Sequence, residues 1–106
     1  MTEPVAWGPG CLAWSFMSGP DLTVKSERMM PPASEELHVH DRARQFFFVL
    51  AGHARLTFGG RAVELVEQQG LEVPPGTPHR IEAVGSATLD FLVVSAPAAD
   101  NDRRSA

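Results

Sequence analysis

Three of the four histidines in the chain are spaced so that they could bind one metal ion together. His38 and His40 are two residues apart, and on a β-strand residues at that spacing point to the same face of the sheet. His79 lies much further along the chain and follows the proline-rich segment 74–78, whose restricted backbone would fix the angle at which the next strand begins. Neutral imidazole nitrogens are good ligands for divalent transition metals, so this pattern indicates a metal site.

The pair of histidines could instead be incidental, and two neighbouring polar residues have to be weighed with it. An H-x-H pair alone is more often a feature of a surface or a turn than of a metal site. Gln45 begins an apolar run, so its side-chain oxygen could bind the same ion or could serve only in hydrogen bonds. His53 follows Gly52 at a turn, and we expect its side chain to be solvated and outside the site.

The elements that must bring these residues together are short β-strands. Apolar or alternating runs are separated by glycine- and proline-rich turns, which is typical of a β-sandwich or barrel. Gly59-Gly60 predicts a tight hairpin, because both residues can adopt a positive φ. The pattern therefore predicts an all-β fold with little helix. The predicted strands are 22–30, 36–40, 45–51, 54–58, 62–66, 70–73, 79–84 and 88–95.

The two ends of the chain are predicted to lie outside the β-domain. Residues 1–20 are rich in glycine and proline and contain three large aromatic residues, so we interpret them as an irregular N-terminal arm that packs on the barrel. Residues 21–96 form the barrel domain, and residues 97–106 are predicted to be a flexible tail. Cys11 is the only cysteine, which excludes a disulfide framework, and we expect it to be a buried, unreactive thiol.

Length and composition limit the function classes. The 106 residues are enough for one domain, and 43% of them are hydrophobic, which is enough for a packed core. The formal net charge is −4 and no lysine–arginine cluster is present, so a nucleic-acid-binding surface is not expected. No signal peptide is visible and the longest apolar run, 46–51, is too short to span a bilayer, so we expect a cytoplasmic protein without a membrane partner.

The residues around the histidines resemble the two sequence motifs of the cupin superfamily. The first motif has the form H-x-H-x3,4-E-x6-G, and the segment 38–52 matches it except that Gln45 replaces the glutamate. The core of the second motif, P-x-G-x2-H, matches in full at 74–79, whereas Ala83 stands where the family has an asparagine. The glycine that opens the first motif is missing. Segments 44–50 and 91–97 are similar to those of small stand-alone bacterial cupins.

This resemblance implies a single-domain cupin jelly-roll β-sandwich or barrel that binds metal. It implies that His38, His40 and His79 hold one divalent ion (Mn, Fe, Ni, Co, Cu or Zn), with Gln45 where the family has its fourth ligand. Glutamine brings no negative charge, so the affinity should be lower and the Lewis acidity higher than with glutamate. Two function classes follow: an oxygenase- or isomerase-like enzyme acting on a small organic molecule in the barrel, or a non-catalytic module that binds a small ligand.

Strand parity predicts which residues face the cavity and which face away from it. We expect no inward carboxylate or tyrosine near the ion, although either Glu27 or Arg28 must point inwards. Phe46 and Phe48 should point outwards and, with the aromatic arm, form an apolar patch that favours a homodimer. The residues predicted to line the cavity are Phe47, Val49, Ile81, Phe91 and Val93.

Overall fold

The computed structural model describes residues 3–99 and 101–106, which form eleven β-strands. The all-β class predicted from the turn pattern is confirmed. The described residues contain no helix, and therefore none long and apolar enough to cross a membrane. The strands are β1 Val5–Gly8, β2 Cys11–Ser18, β3 Thr23–Met29, β4 His38–His40, β5 Arg44–Ala51, β6 His53–Phe58, β7 Arg61–Val66, β8 Gly70–Val73, β9 His79–Ala83, β10 Leu89–Ala96 and β11 Arg103–Ser105.

The strands form two antiparallel sheets. The first sheet has the order β1-β2-β3-β10-β5-β8 and the second has the order β11-β4-β9-β6-β7. From β3 onwards the chain changes sheet at every connection except the β6–β7 hairpin, and the crossing between β5 and β6 is at Gly52. The predicted Gly59-Gly60 hairpin joins β6 to β7, and both glycines have positive φ values of 54° and 78°.

The apolar core lies between the two sheets and follows the alternation of each strand. In β10 every second residue is buried, which places Phe91 and Val93 inside and their neighbours on the outer face. Burying one such side chain contributes about 1.5–3 kcal/mol. Towards one end the inward positions become polar: Ser95 is paired across the sheet with Gln45 on one side and with Thr23 on the other, and all three are buried. The histidines lie at this polar end.

The N-terminal segment is regular, and the prediction of an irregular arm was wrong. Strands β1 and β2 form a hairpin around Pro9-Gly10, and β2 pairs with β3 from Cys11↔Met29 to Ser18↔Thr23. This pairing gives hydrogen-bond partners to backbone N–H and C=O groups on the edge of β3 that would otherwise lack them. The side-chain composition of residues 1–20 does not reveal this stabilisation. The domain boundary at residue 20 stays a prediction, and residues 1 and 2 lie outside the described part of the chain.

The C-terminal segment is also more ordered than the predicted flexible tail. Strand β11 pairs with β4, from Arg103↔His40 to Ser105↔His38. The Asp102 carboxylate accepts the backbone N–H groups of Arg42 and Ala43, at 2.9 and 2.8 Å. The tail prediction failed because these contacts join residues about sixty positions apart and leave no local pattern. Residue 100 lies outside the described residues.

Candidate metal centre

Neighbouring strands of the second sheet position the three histidines. His38 and His79 are directly opposite each other on β4 and β9, and His40 lies on the same face of β4 two residues further on. All three side chains are buried, and their ring centroids are 4.4 to 5.7 Å apart. One ligand atom from each lies within 4.8 Å of the others, so the three rings form a single cluster.

Backbone carbonyls fix the orientation of two of these rings. His38 Nδ1 donates to the Glu36 carbonyl oxygen at 2.8 Å, and His79 Nδ1 donates to the Thr77 carbonyl oxygen at 2.9 Å. A carbonyl oxygen can only accept, so the ring proton must be on Nδ1 when the imidazole is neutral. Nε2 of each ring then carries a free lone pair. A hydrogen bond that holds the other ring nitrogen in this way is typical of metal-binding histidines.

Burial keeps all three histidines neutral at physiological pH. Burial lowers the pKa of His38 to about 4, and the hydrogen bond that His38 donates to the Glu36 carbonyl oxygen only partly opposes this effect. Burial also lowers the pKa of His79 and of His40; for His40 the nearby Asp102 acts in the opposite direction. Only neutral imidazole binds a metal, so protons compete little with an ion at this site near neutral pH.

Gln45 reaches the cluster from the opposite sheet. Its Nε2 donates to Ser95 Oγ at 2.9 Å, which turns Oε1 towards His79. The Oε1 atom lies 2.9 Å from Nε2 of His79. Because the His79 proton is on Nδ1, both facing atoms are acceptors in the neutral state. Two ligands bound at right angles about 2.1 Å from one ion would be about 3 Å apart, so this contact fits a shared cation.

A second buried atom without a partner lies beside this contact. His40 is only 5% exposed, and its Nδ1 has no hydrogen-bond partner among the described residues. A buried polar nitrogen without a partner is energetically unfavourable. The lone pairs of His79 and Gln45 and this nitrogen therefore fit a site that is completed by a divalent ion.

The cluster opens on a cavity of about 400 Å³. His38, His40 and Gln45 line it, together with Phe47 and Val93 from the set predicted by strand parity. Val49, Ile81 and Phe91, which belong to the same predicted set, are fully buried in the apolar core. The alternation of residues along each strand thus identified which side chains point between the sheets. It did not show which of them pack in the apolar core and which line the open cavity.

Two carboxyl groups also line the cavity, whereas the sequence offered no clear inward acid near the ion and left open whether Glu27 or Arg28 points inwards. Glu27 points inwards from β3, whereas Arg28 forms an ion pair with Asp90 at 2.8 Å on the opposite face. Glu35, in the loop before β4, is the second inward acid. The parity of β3 could have identified Glu27, because Glu27 shares its face with buried Met29. Glu35 is in a loop, where no period assigns a side chain to a face.

The remaining polar candidates lie outside the cluster. His53 Nε2 contacts Glu64 Oε1 at 2.7 Å, and its side chain is 43% exposed. Cys11 is a buried free thiol in the core, and burial together with the charges of Glu27 and Glu35 raises its pKa, which makes it unreactive.

The fold and the histidine cluster define a class of double-sheet β-proteins with a candidate metal site between the sheets. A family model described as "Cupin domain" matches residues 26–95, more than half of the chain, and the chain belongs to this family. An uncharacterized protein of Methanocaldococcus jannaschii, MJ1618, is 30% identical over 73 residues, which are 68% of this chain and 58% of that protein. The chain thus spans somewhat more than half of that relative.

Solved structures agree with this fold. An RmlC-like cupin from Shewanella frigidimarina superposes with a TM-score of 0.86 at 20% identity, covering 94% of this chain and 87% of that chain. KdgF from a Halomonas species superposes with a TM-score of 0.83 at 22% identity, covering 94% and 90%. Similarity at this level of identity establishes the fold and leaves the activity to be argued from the site.

Proposed function

We propose that this chain is a metal-dependent enzyme that acts on a small organic molecule bound in the cavity, by oxygenase- or isomerase-like chemistry. One divalent ion (Mn, Fe, Ni, Co, Cu or Zn) is held by the three histidines, with the Gln45 oxygen as fourth ligand. The observation that carries the proposal is the 2.9 Å contact between His79 Nε2 and Gln45 Oε1. Two facing lone pairs at that distance repel each other unless a cation lies between them.

Each residue of the site has a defined task in this proposal. When bound, the ion supplies Lewis acidity or a site for O₂. The carbonyls of residues 36 and 77 hold the rings of His38 and His79, and Ser95 holds the Gln45 amide. Phe47 and Val93 contribute apolar walls to the cavity, which lower the local dielectric constant and strengthen electrostatic interactions inside it.

The second candidate function is a module that binds the same kind of small molecule without changing it. The neutral side chain of Gln45 favours this candidate, because it cannot serve as the carboxylate base that glutamate would provide at this position. Incubation of the metal-loaded protein with small organic acids and sugars, followed by mass spectrometry, separates the two candidates. Product formation supports the enzyme, and binding without turnover supports the module.

Calorimetric titration with Zn²⁺ tests the metal site. His79→Ala should lower the affinity by more than about 100-fold, because losing a ligand should exceed the 10–100-fold effect of losing a supporting contact. Gln45→Ala should weaken binding by less, and Gln45→Glu should strengthen it because it adds a negative charge next to the ion. His53→Ala is the matched control, since His53 is exposed and paired with Glu64.

The competing outcome is a metal-free hydrogen-bond network. If the Gln45 amide were rotated by a half turn, its NH₂ group would donate to His79 and its oxygen would accept from Ser95. In that case His79→Ala and His53→Ala would have the same weak affinity for Zn²⁺ as the parent, and the proposed metal site would be abandoned.

We also propose a homodimer formed through the outer face of the first sheet. Phe46 and Phe48 stack there with ring centroids 6.2 Å apart, and the Phe46 side chain is 42% exposed. Contiguous exposed apolar surface of this kind favours self-association. Sedimentation velocity should show a dimer that Phe46→Ser weakens, whereas Val66→Ser on the second sheet should leave it intact. A monomeric parent at micromolar concentration would contradict the proposal.

The expected location and partners belong to the same proposal. The net charge of −4 and the dispersed arginines give no extended basic surface, so we propose a cytoplasmic protein without nucleic-acid or membrane partners. Cell fractionation with an antibody against the native protein tests the location.

A further inference from the structure

Two glutamates in the cavity have no role in the metal site described above. Glu27 extends from β3 of the first sheet, and Glu35 lies in the loop before β4. Glu35 is firmly positioned: its Oε1 accepts the Ile81 N–H at 3.0 Å, and its own N–H donates to the Ile81 carbonyl at 3.2 Å. Both carboxyl groups therefore line the same cavity as His38 and His40, and Glu35 does so from a fixed position.

The surroundings of this pair favour one shared proton near neutral pH. Burial raises the pKa of Glu27 to about 7, and burial together with the charge of Glu27 raises the pKa of Glu35 to about 8. Two carboxyl groups that interact in this way do not both ionise readily, so they lose their protons in coupled steps. The positive charges of Lys25 and Arg103 lower the pKa of Glu27, and that of Arg103 lowers the pKa of Glu35, but both effects are smaller than that of burial. The charged or titratable groups that line the same cavity or interact with the pair are Lys25, Arg103, Cys11, His38 and His40.

Among the described residues that line the cavity, Glu27 and Glu35 are the only carboxyl groups. The histidine lone pairs are committed to the ion in the proposed function, Gln45 does not titrate, and the chain contains no tyrosine.

The charge of the cavity defines the class of ligand. Arg103 contributes a positive charge, and the two glutamates with one proton between them contribute a single negative charge. A divalent ion on neutral ligands makes the balance positive. A small organic anion that carries a hydroxyl or carbonyl oxygen complements such a cavity.

We propose that Glu27 and Glu35 are the acid–base pair of this cavity and act on a small organic anion held between the histidine cluster and Arg103. The ionised carboxylate accepts the proton of a substrate carbon next to a carbonyl group, and the electron pair of the broken C–H bond forms a C=C bond. The π electrons of the C=O bond move to its oxygen, which takes the proton of the neutral carboxyl group, so that the substrate becomes its enol isomer. The pair ends with one proton, as it began, and the substrate is isomerised without gain or loss of electrons. The inference rests on the proposed metal-dependent function and specifies its substrate class.

Proton-linked calorimetry with glycolate as the probe tests the pair on Zn²⁺-loaded protein. Binding of an anion raises the pKa of a nearby carboxyl pair, so the parent should take up part of a proton per glycolate at pH 7.5, measured in two buffers of different ionisation enthalpy. Glu27→Gln and Glu35→Gln should each reduce this uptake, and the variant with both substitutions should abolish it, while Zn²⁺ affinity stays within about threefold. Glu67→Gln, on an exposed turn, is the matched control. Arg103→Gln should weaken glycolate binding about tenfold.

A carboxyl NMR titration of protein labelled with ¹³C-glutamate gives a second readout. Two glutamates should titrate near neutrality, and Glu27→Gln should lower the pKa of Glu35 because the charge of Glu27 helps to raise it, which a purely structural role would not do. The experiments distinguish failure of the metal site, of the ligand class and of the acid–base pair. Absence of Zn²⁺ binding refutes the metal site; Zn²⁺ binding without glycolate binding refutes the ligand class. Glycolate binding whose proton uptake is unchanged in the two single variants and survives in the double variant refutes the acid–base pair.

Discussion

The glutamate pair should make this protein less stable as the pH rises, and removing one carboxyl should reverse the effect. The folded-state pKa of Glu35 is about 8, compared with 4.5 for an unperturbed glutamate. A raised folded-state pKa means that the folded protein binds more protons than the unfolded chain between these values. The stabilising contribution is therefore complete below pH 4.5 and is lost as the pH rises to 8.

The size of the stability change follows from the difference between the folded-state pKa of Glu35 and that of an unperturbed glutamate. At about 1.4 kcal/mol per pKa unit, the shift of Glu35 corresponds to an upper limit near 5 kcal/mol. The cavity admits solvent and the two glutamates share the effect, so we expect about 2 kcal/mol. Glu35→Gln removes the titrating group but keeps an oxygen that can accept the Ile81 N–H. The variant should match the parent at pH 5 and exceed its unfolding free energy by about 2 kcal/mol at pH 8.5.

Urea unfolding at both pH values, monitored by tryptophan fluorescence, measures the difference. Metal must be absent, since an ion would add a separate pH dependence. Glu67→Gln should show no gain at either pH, because Glu67 is exposed. If Glu35→Gln were equally or less stable than the parent at pH 8.5, Glu35 would be an ordinary ionised residue, and the inference of a proton-holding pair would lose its support.

Three further outcomes are expected. Saturating Zn²⁺, at about 100 times its Kd, should stabilise the folded protein by about 2.7 kcal/mol, and calorimetric scans should show no such rise in Tm for His79→Ala. Gly52→Ala should destabilise the fold by about 2–4 kcal/mol in urea, because φ is +90° and a Cβ atom would lie 2.4 Å from the Thr88 carbonyl oxygen. Phe91→Ala should cost about 3–5 kcal/mol because Phe91 is fully buried, whereas Phe46→Ala, on the exposed outer face, should cost much less.

The sequence predicted best what depends on local periodicity and turn chemistry. The strand that carries Gln45 and the β8 segment 70–73 lie within one residue of their predicted bounds, because apolar alternation and glycine turns mark them. The sequence predicted poorly what depends on pairing between distant segments. Trp14 lies in a strand because β3 offers an edge for pairing, and Arg103 reaches the cavity because β11 adds to β4. Neither contact leaves a local signal.

The neutral ligand set and the buried carboxyl pair have complementary electrostatic effects. With glutamate at position 45 the ion would be partly neutralised where it binds, and an anionic ligand would be held less tightly. In the proposed site, glutamine leaves the full double charge of the ion to attract an anion, and the acidic function falls to Glu27 and Glu35, which line the cavity outside the histidine cluster. A carboxyl pair buried at a cost in stability is expected where function requires it. For this reason Gln45→Glu should strengthen metal binding and weaken glycolate binding in the same protein, and an equal gain for both ligands would contradict this account of the site.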